Sequence, residues 1–151
     1  MPKQSAGLVV YRRLDEQLEI FLVHPGGPFW QNKDAGSWSI PKGEFTLPED
    51  PLQAARRELL EETGFRVDGP FAPLQPIKQR GGKVVHAWAV AADFEASQFK
   101  SNSFTLEWPP KSGKVAEFPE VDRAEWFDFA TAREKINAAQ CELLMQLEAI
   151  P

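Results

Sequence analysis

The stretch Pro41-Lys42-Gly43-Glu44-Phe45-Thr46-Leu47-Pro48-Glu49, running on through Asp50 and Pro51 to Arg57-Glu58-Leu59-Leu60-Glu61-Glu62-Thr63-Gly64-Phe65, decides the fold. Its second half reads as a helix from Asp50 to Glu62. Asp50 can cap it, Pro51 suits the first turn, Gln53 completes a capping-box-like pattern and Gly64 can end it. At about 100° per residue, Glu58, Glu61 and Glu62 share one face. Leu52, Leu59 and Leu60 point elsewhere and can anchor the helix, while Ala54 and Ala55 are small enough to leave room for a loop or ligand. Three like charges on one helical face repel, and a hard divalent cation with a taste for oxygen ligands would remove that penalty. Arg57 has no place among metal ligands and is expected to pair with Glu49, fastening the preceding loop to the helix. Gly43 allows close backbone approach and offers a carbonyl.

Working outward, Ser5–Arg13 and Leu18–His24 read as strands joined by a turn at Asp15-Glu16-Gln17, and Pro25-Gly26-Gly27-Pro28 ends the second. Trp38–Ile40 reads as a short strand, Phe71–Ile77 and Val84–Phe94 as further ones, and Glu125–Phe127 as the last. Leu143, Leu144, Leu147 and Ile150 recur at helical spacing near the end. Phe104–Pro110 is expected to be an insertion, and Cys141 a buried small hydrophobe. Strands before and after one internal helix, with another helix at the end, favour an α/β fold with a mixed sheet covered on its faces.

Composition narrows the classes. The chain has 151 residues, 42% hydrophobic and 26% charged, enough for one domain and too few for two ordinary ones. One cysteine excludes an internal disulfide framework and a cysteine-based zinc cluster. No apolar run is long enough to span a bilayer and Met1-Pro2-Lys3-Gln4 leads into no signal sequence, so a cytoplasmic location and no membrane partner are expected. The net charge of −5 argues against a grip on long nucleic acid. Four of those five charges fall within residues 43–64, where six acids face two arginines.

An acidic helical face alone is usually just a solvated one. The complete spacing says more: Gly43, five residues, Glu49, seven residues, Arg57-Glu58-Leu59, one residue, Glu61-Glu62, one residue, Gly64-Phe65. This matches the Nudix box at every defined position, and the chain resembles the Nudix hydrolases. The resemblance implies an α/β/α sandwich over residues 1–151 and hydrolysis of a nucleoside diphosphate linked to another moiety, with Mg²⁺ or Mn²⁺. It makes Glu58, Glu61, Glu62 and the Gly43 carbonyl metal ligands and Glu49–Arg57 the supporting pair. Glu120, six residues before Trp126, is similar in placement to a distal glutamate of diadenosine tetraphosphate hydrolases that acts as base or metal ligand; Glu117 is the substitute. Glu61, Glu62 or Glu120 would accept the proton of the attacking water.

Trp38–Glu44 and Lys83–Ala89 resemble the matching strands of dinucleoside polyphosphate hydrolases and related bacterial pyrophosphohydrolases, with His86 standing where a tyrosine is common. Lys42, beside Gly43, is a phosphate-binding candidate. Lys78, Arg80 and Lys83 form a basic tip that can meet distal phosphates. Trp30, Trp38 and Trp88 are candidates for stacking on a base or for the core, Trp30 being the one in a loop. The expected substrate is a dinucleoside polyphosphate or nucleoside triphosphate, with two alternatives: removal of pyrophosphate from RNA 5′ ends, or nucleotide sensing without turnover. The sequence leaves the oligomeric state open.

Overall fold

The computed structural model describes residues 3–150; Met1, Pro2 and Pro151 of the expected 1–151 domain and of the opening segment lie outside the described residues. The first hairpin forms where its β-branched runs and turn place it. β1 (Gln4–Leu14) and β2 (Gln17–Pro25) are antiparallel, and Asp15 and Glu16 both take positive φ, at 51° and 68°. That is the twist a two-residue hairpin turn needs.

β1 pairs with β2 only along its second half. Its first half, Gln4–Gly7, pairs instead with β3 (Lys42–Phe45), which brings Gly43 opposite Ala6. On its other edge β1 runs parallel to β6 (Val84–Ala91) along nearly its whole length. β4 (Ala72–Pro73) and β5 (Ile77–Lys78) pair antiparallel with the outer edge of β6, and β9 (Val121–Asp128) pairs with β2. The result is a mixed seven-stranded sheet.

Alternation along the strands feeds two cores. Leu8, Val10, Phe21, Val23 and Val90 face α1 (Pro51–Thr63), which contributes Ala54, Ala55 and Leu59. Val9, Ile20, Leu22, Val85 and Ala89 face Ala132 of α2 (Phe129–Lys135) and Leu143, Leu144 and Leu147 of α3 (Cys141–Leu147). Helices on both faces complete the α/β/α sandwich. Among the described residues no helix is long and apolar enough to cross a membrane.

α1 starts and stops for local reasons. The Asp50 carboxylate accepts from the Gln53 backbone N–H at 3.1 Å, and Gly64 takes φ 79° while its N–H donates to the Leu60 carbonyl at 2.8 Å. Ala54 and Ala55 leave no room for a ligand; both are fully buried, letting the helix sit close to β1.

Other expectations are corrected. Trp38–Ile40 is no strand: Trp38 bridges Ile136 and Ser39 bridges Val23, so each residue meets a different element before Pro41. Phe71–Ile77 is split into β4 and β5 because Pro73 and Pro76 each remove a ladder donor. The last strand starts at Val121, well before Glu125. The insertion is an ordered hairpin of β7 (Ser103–Glu107) and β8 (Val115–Pro119). α2 had no counterpart in the reading, and Cys141 is only half-buried.

Candidate active site

β3 runs beneath the acidic face of α1, and the fit is tight. A Cβ on Gly43 would lie 2.1 Å from Glu58 Oε1 and 2.2 Å from its carboxyl carbon, so only glycine lets the strand and this carboxylate share the space. Glu58 is buried, and Glu61 and Glu62 follow on the same face, half-buried.

Arg57 organises the outer side of the cluster. Its Nε and Nη2 donate to the two Glu49 oxygens at 2.8 and 3.0 Å, a bidentate pair that ties the loop before α1 to the helix. Its Nη1 also donates to Glu58 Oε2 at 2.7 Å and to both Glu61 oxygens at 3.3 and 3.2 Å. Hydrogen bonds from Arg57 hold Glu49 below the usual carboxylate range, and those bonds in turn hold the guanidinium firmly protonated.

Glu120, between β8 and β9, is held by a chain of backbone bonds. Asn102 N–H donates to the Glu61 carbonyl at 2.9 Å, Glu120 N–H donates to the Asn102 carbonyl at 2.8 Å, and Gly26 N–H donates to the Glu120 carbonyl at 2.9 Å. Glu117 lies exposed on the hairpin, opposite Thr105, while Glu120 lines the cavity described next.

A cavity of about 230 Å³ brings Glu62, Glu120, Lys42 and Trp30 together, with Gln79, Asn137 and Gln140 on its wall. Burial, then the charges of Glu58 and Glu120, push Glu62 up to about 9, against the pull of the Lys42 backbone N–H and ammonium. Burial and Glu61 raise Glu58, with Arg57 opposing, and burial and Glu61 also raise Glu120. Burial lowers Lys42, helped by Lys83 and resisted by Glu62, Glu44 and Glu58. Lys83 lines an adjoining cavity with Arg80; Gln79 and Asn137 belong to both.

The remaining candidates separate. His86 lies on the face of β6 that Trp88 and Val90 share; its Nε2 bonds Gln4 Oε1 at 2.6 Å, and it lines a different surface cavity with Phe45 and Leu47. Trp38 is fully buried, its indole N–H donating to Asp34 at 2.8 Å, and Trp88 packs against the core under α1. Gln79, Asn102, Asn137 and Gln140 escaped the sequence reading, because polar residues in irregular segments carry no periodic signal.

The donor set suits a hard divalent cation in its chemistry. It consists of carboxylate oxygens, and a cation among them would offset both the burial and, after it, the repulsion by neighbouring acids that raise Glu58, Glu62 and Glu120. Among the described residues no three carboxylates or histidines converge at metal-ligating spacing. Arg57 Nη1, bonded to both Glu58 and Glu61, holds two of the carboxylates toward itself.

The NUDIX domain family model matches residues 1–147, and the chain belongs to that family. It is 30% identical over 135 residues to a Myxococcus xanthus protein named octanoyltransferase, covering 89% of this chain and 33% of that one. It is 32% identical over 109 residues to an RNA pyrophosphohydrolase of Bartonella henselae, covering 62% and 58%. The chain thus spans about a third to three-fifths of the length of these curated relatives. Among solved structures, a C. elegans Ap4A hydrolase binary complex superposes with a TM-score of 0.65 at 22% identity, covering 97% of this chain and 96% of that one, a likeness of fold.

Proposed function

We propose that the protein hydrolyses a pyrophosphate bond in a nucleoside diphosphate joined to a further moiety, a dinucleoside polyphosphate of the diadenosine tetraphosphate type or a nucleoside triphosphate. The observation that carries this reading is the cavity where Glu62 and Glu120 face Lys42, beside the Glu58–Glu61 cluster that Arg57 orients. Glu58, Glu61, Glu62 and the Gly43 carbonyl would hold Mg²⁺ or Mn²⁺, which when bound neutralises phosphate oxygens and makes water a better nucleophile.

The chain's own groups supply the rest. Lys42 binds a phosphate oxygen, close enough to the carboxylates to share their field. Glu120, Glu62 and Glu61 are the candidate acceptors of the water's proton, the first two raised chiefly by burial. Water oxygen bonds to phosphorus, the anhydride P–O bond breaks toward the departing phosphate, and the carboxylate takes the water's proton. Coupled carboxylates share that role as a set. Arg57 positions Glu58 and Glu61 by holding one oxygen edge of each.

A second reading, pyrophosphate removal from RNA 5′ ends, is favoured by one observation: Arg80 and Lys83 line the cavity adjoining the site, a basic path leading away from it. The Bartonella henselae relative supports the same reading. A hydrolysis screen with Mg²⁺ over dinucleoside polyphosphates, nucleoside triphosphates and 5′-triphosphorylated RNA, products identified by mass, tests both. Turnover of diadenosine tetraphosphate, abolished by Glu61→Gln, is the expected result. Preference for RNA moves the assignment to the second reading, and no turnover of any class leaves a nucleotide sensor.

A further inference from the structure

Residues 26–37 leave the end of β2 and cross the rim of the cavity that holds Lys42, Glu62 and Glu120. The segment is tied at both ends. Gly26 N–H donates to the Glu120 carbonyl at 2.9 Å, and the buried His24 donates through Nε2 to the Lys33 carbonyl at 2.7 Å. The next residue, Asp34, is held by the Trp38 indole at 2.8 Å and by Lys135. Between these ties Phe29 and Trp30 remain 59% and 39% exposed. Two large aromatic rings held out at a site rim by a pinned segment form a surface for contact.

The β7–β8 hairpin packs against Gly27 and Phe29. Phe104, Leu106 and Phe118 alternate onto its half-buried side. Phe104 lies against Gly27, its ring tip 3.0 Å from where a Cβ would stand, and Gly27 has φ +99°. Further out, Trp108 meets Phe29 edge-on at 5.4 Å. Asn102, which bridges Glu61 and Glu120, immediately precedes the hairpin, so this arm is rooted in the site itself. Its turn carries Lys111 and Lys114, and Lys33 sits 5.0 Å over the Trp30 ring.

The 230 Å³ cavity is smaller than the roughly 300–1,000 Å³ that a whole drug-sized ligand fills. A substrate with two nucleosides must therefore extend past the rim, where Trp30 lines the cavity and its neighbour Phe29 meets the arm at Trp108. We propose that Phe29, Trp30 and Trp108 form an aromatic clamp for the nucleobase of the moiety beyond the cleaved bond, so that the β7–β8 arm selects dinucleoside polyphosphates over nucleoside triphosphates. This deepens the hydrolase reading above and rests on it. Stacking tolerates any base, and losing one stacking ring costs about tenfold in affinity.

The test is equilibrium binding of a methylene-bridged, non-hydrolysable diadenosine tetraphosphate analogue, read by calorimetry alongside a thermal melt of each variant. Trp108→Ala and Phe29→Ala are each expected to weaken binding about tenfold, while Val115→Ser, altering an exposed side chain elsewhere on the arm, matches wild type. The ratio of kcat/KM for diadenosine tetraphosphate over adenosine triphosphate should fall by a similar factor in the two aromatic variants. Wild-type affinity in a folded Trp108→Ala protein overturns the clamp and leaves the hydrolase reading standing. Tight binding that depends on Trp108, in a protein that hydrolyses no nucleotide, supports the clamp and overturns the hydrolase reading.

Discussion

Adding a single methyl group at Gly43 probes the site most directly. β3 cannot retreat from α1, because Gly43 is paired to Ala6 of β1 and neighbours on both sides share that ladder. Gly43 is absent from the positive-φ glycines, so alanine meets no backbone strain and the whole cost is steric. With the new Cβ 2.1 Å from Glu58 Oε1, the carboxylate must withdraw by about 1 Å to reach ordinary contact, and its 2.7 Å bond to Arg57 is disturbed as it goes. Overpacking of this kind costs about 1–3 kcal/mol. A displacement of that size at a catalytic group costs about 10²-fold in rate. Gly43→Ala is therefore expected to remain folded with a lowered melting temperature and to lose about 10²-fold in kcat/KM for Mg²⁺-dependent hydrolysis of diadenosine tetraphosphate. Adding Glu58→Asp shortens the side chain by about 1.5 Å and should restore much of the melting temperature without the activity. A folded Gly43→Ala protein with wild-type kcat/KM would falsify the reading of this contact.

In chelator, stability should fall as pH rises from the ordinary carboxylate value of 4.5 toward about 9, because the unfolded chain releases the Glu62 proton across that window while the folded one keeps it. The slope is at most about 1.4 kcal/mol per pH unit, and Glu62→Gln should flatten it; superimposable urea midpoints for both proteins would refute the assignment. Arg57→Lys keeps the charge but loses the two-pronged grip on Glu49, so kcat should drop at least about tenfold with KM little changed, read by steady-state kinetics. Asp50→Ala should cost about 1 kcal/mol of stability by chemical denaturation while leaving the acidic cluster's chemistry intact.

What the sequence disclosed depended on how local each determinant is. The caps of α1 lie within a turn of the helix they end, and the β1–β2 turn lies between the strands it joins, so both could be read directly. The Glu49–Arg57 pair also follows from spacing. So does Arg57's bond to Glu61, four residues on, whereas its bond to Glu58 does not, since adjacent residues on a helix do not ordinarily face each other. β7 and β8 find each other across the turn between Glu107 and Val115, and neither segment is apolar enough to announce a strand. Choosing Glu120 over Glu117 needs the register of the hairpin, which puts Glu117 opposite Thr105 and outside the site. His86, with period two, shares a face of β6 with Trp88 and Val90, and the wall it joins there is that of Phe45 and Leu47.

Arg57 has a consequence for how the acidic cluster stands without a cation. In small zinc-binding folds the ion is a structural member, and withdrawing it unfolds the chain. Here a guanidinium already touches three of the acids, Glu49, Glu58 and Glu61, and it is carried by the same helix as two of them. The helix is thus supplied at synthesis with its own permanent counter-charge. Under the proposed function, withdrawing divalent cations is expected to stop turnover while the fold stands, and returning them to restore it.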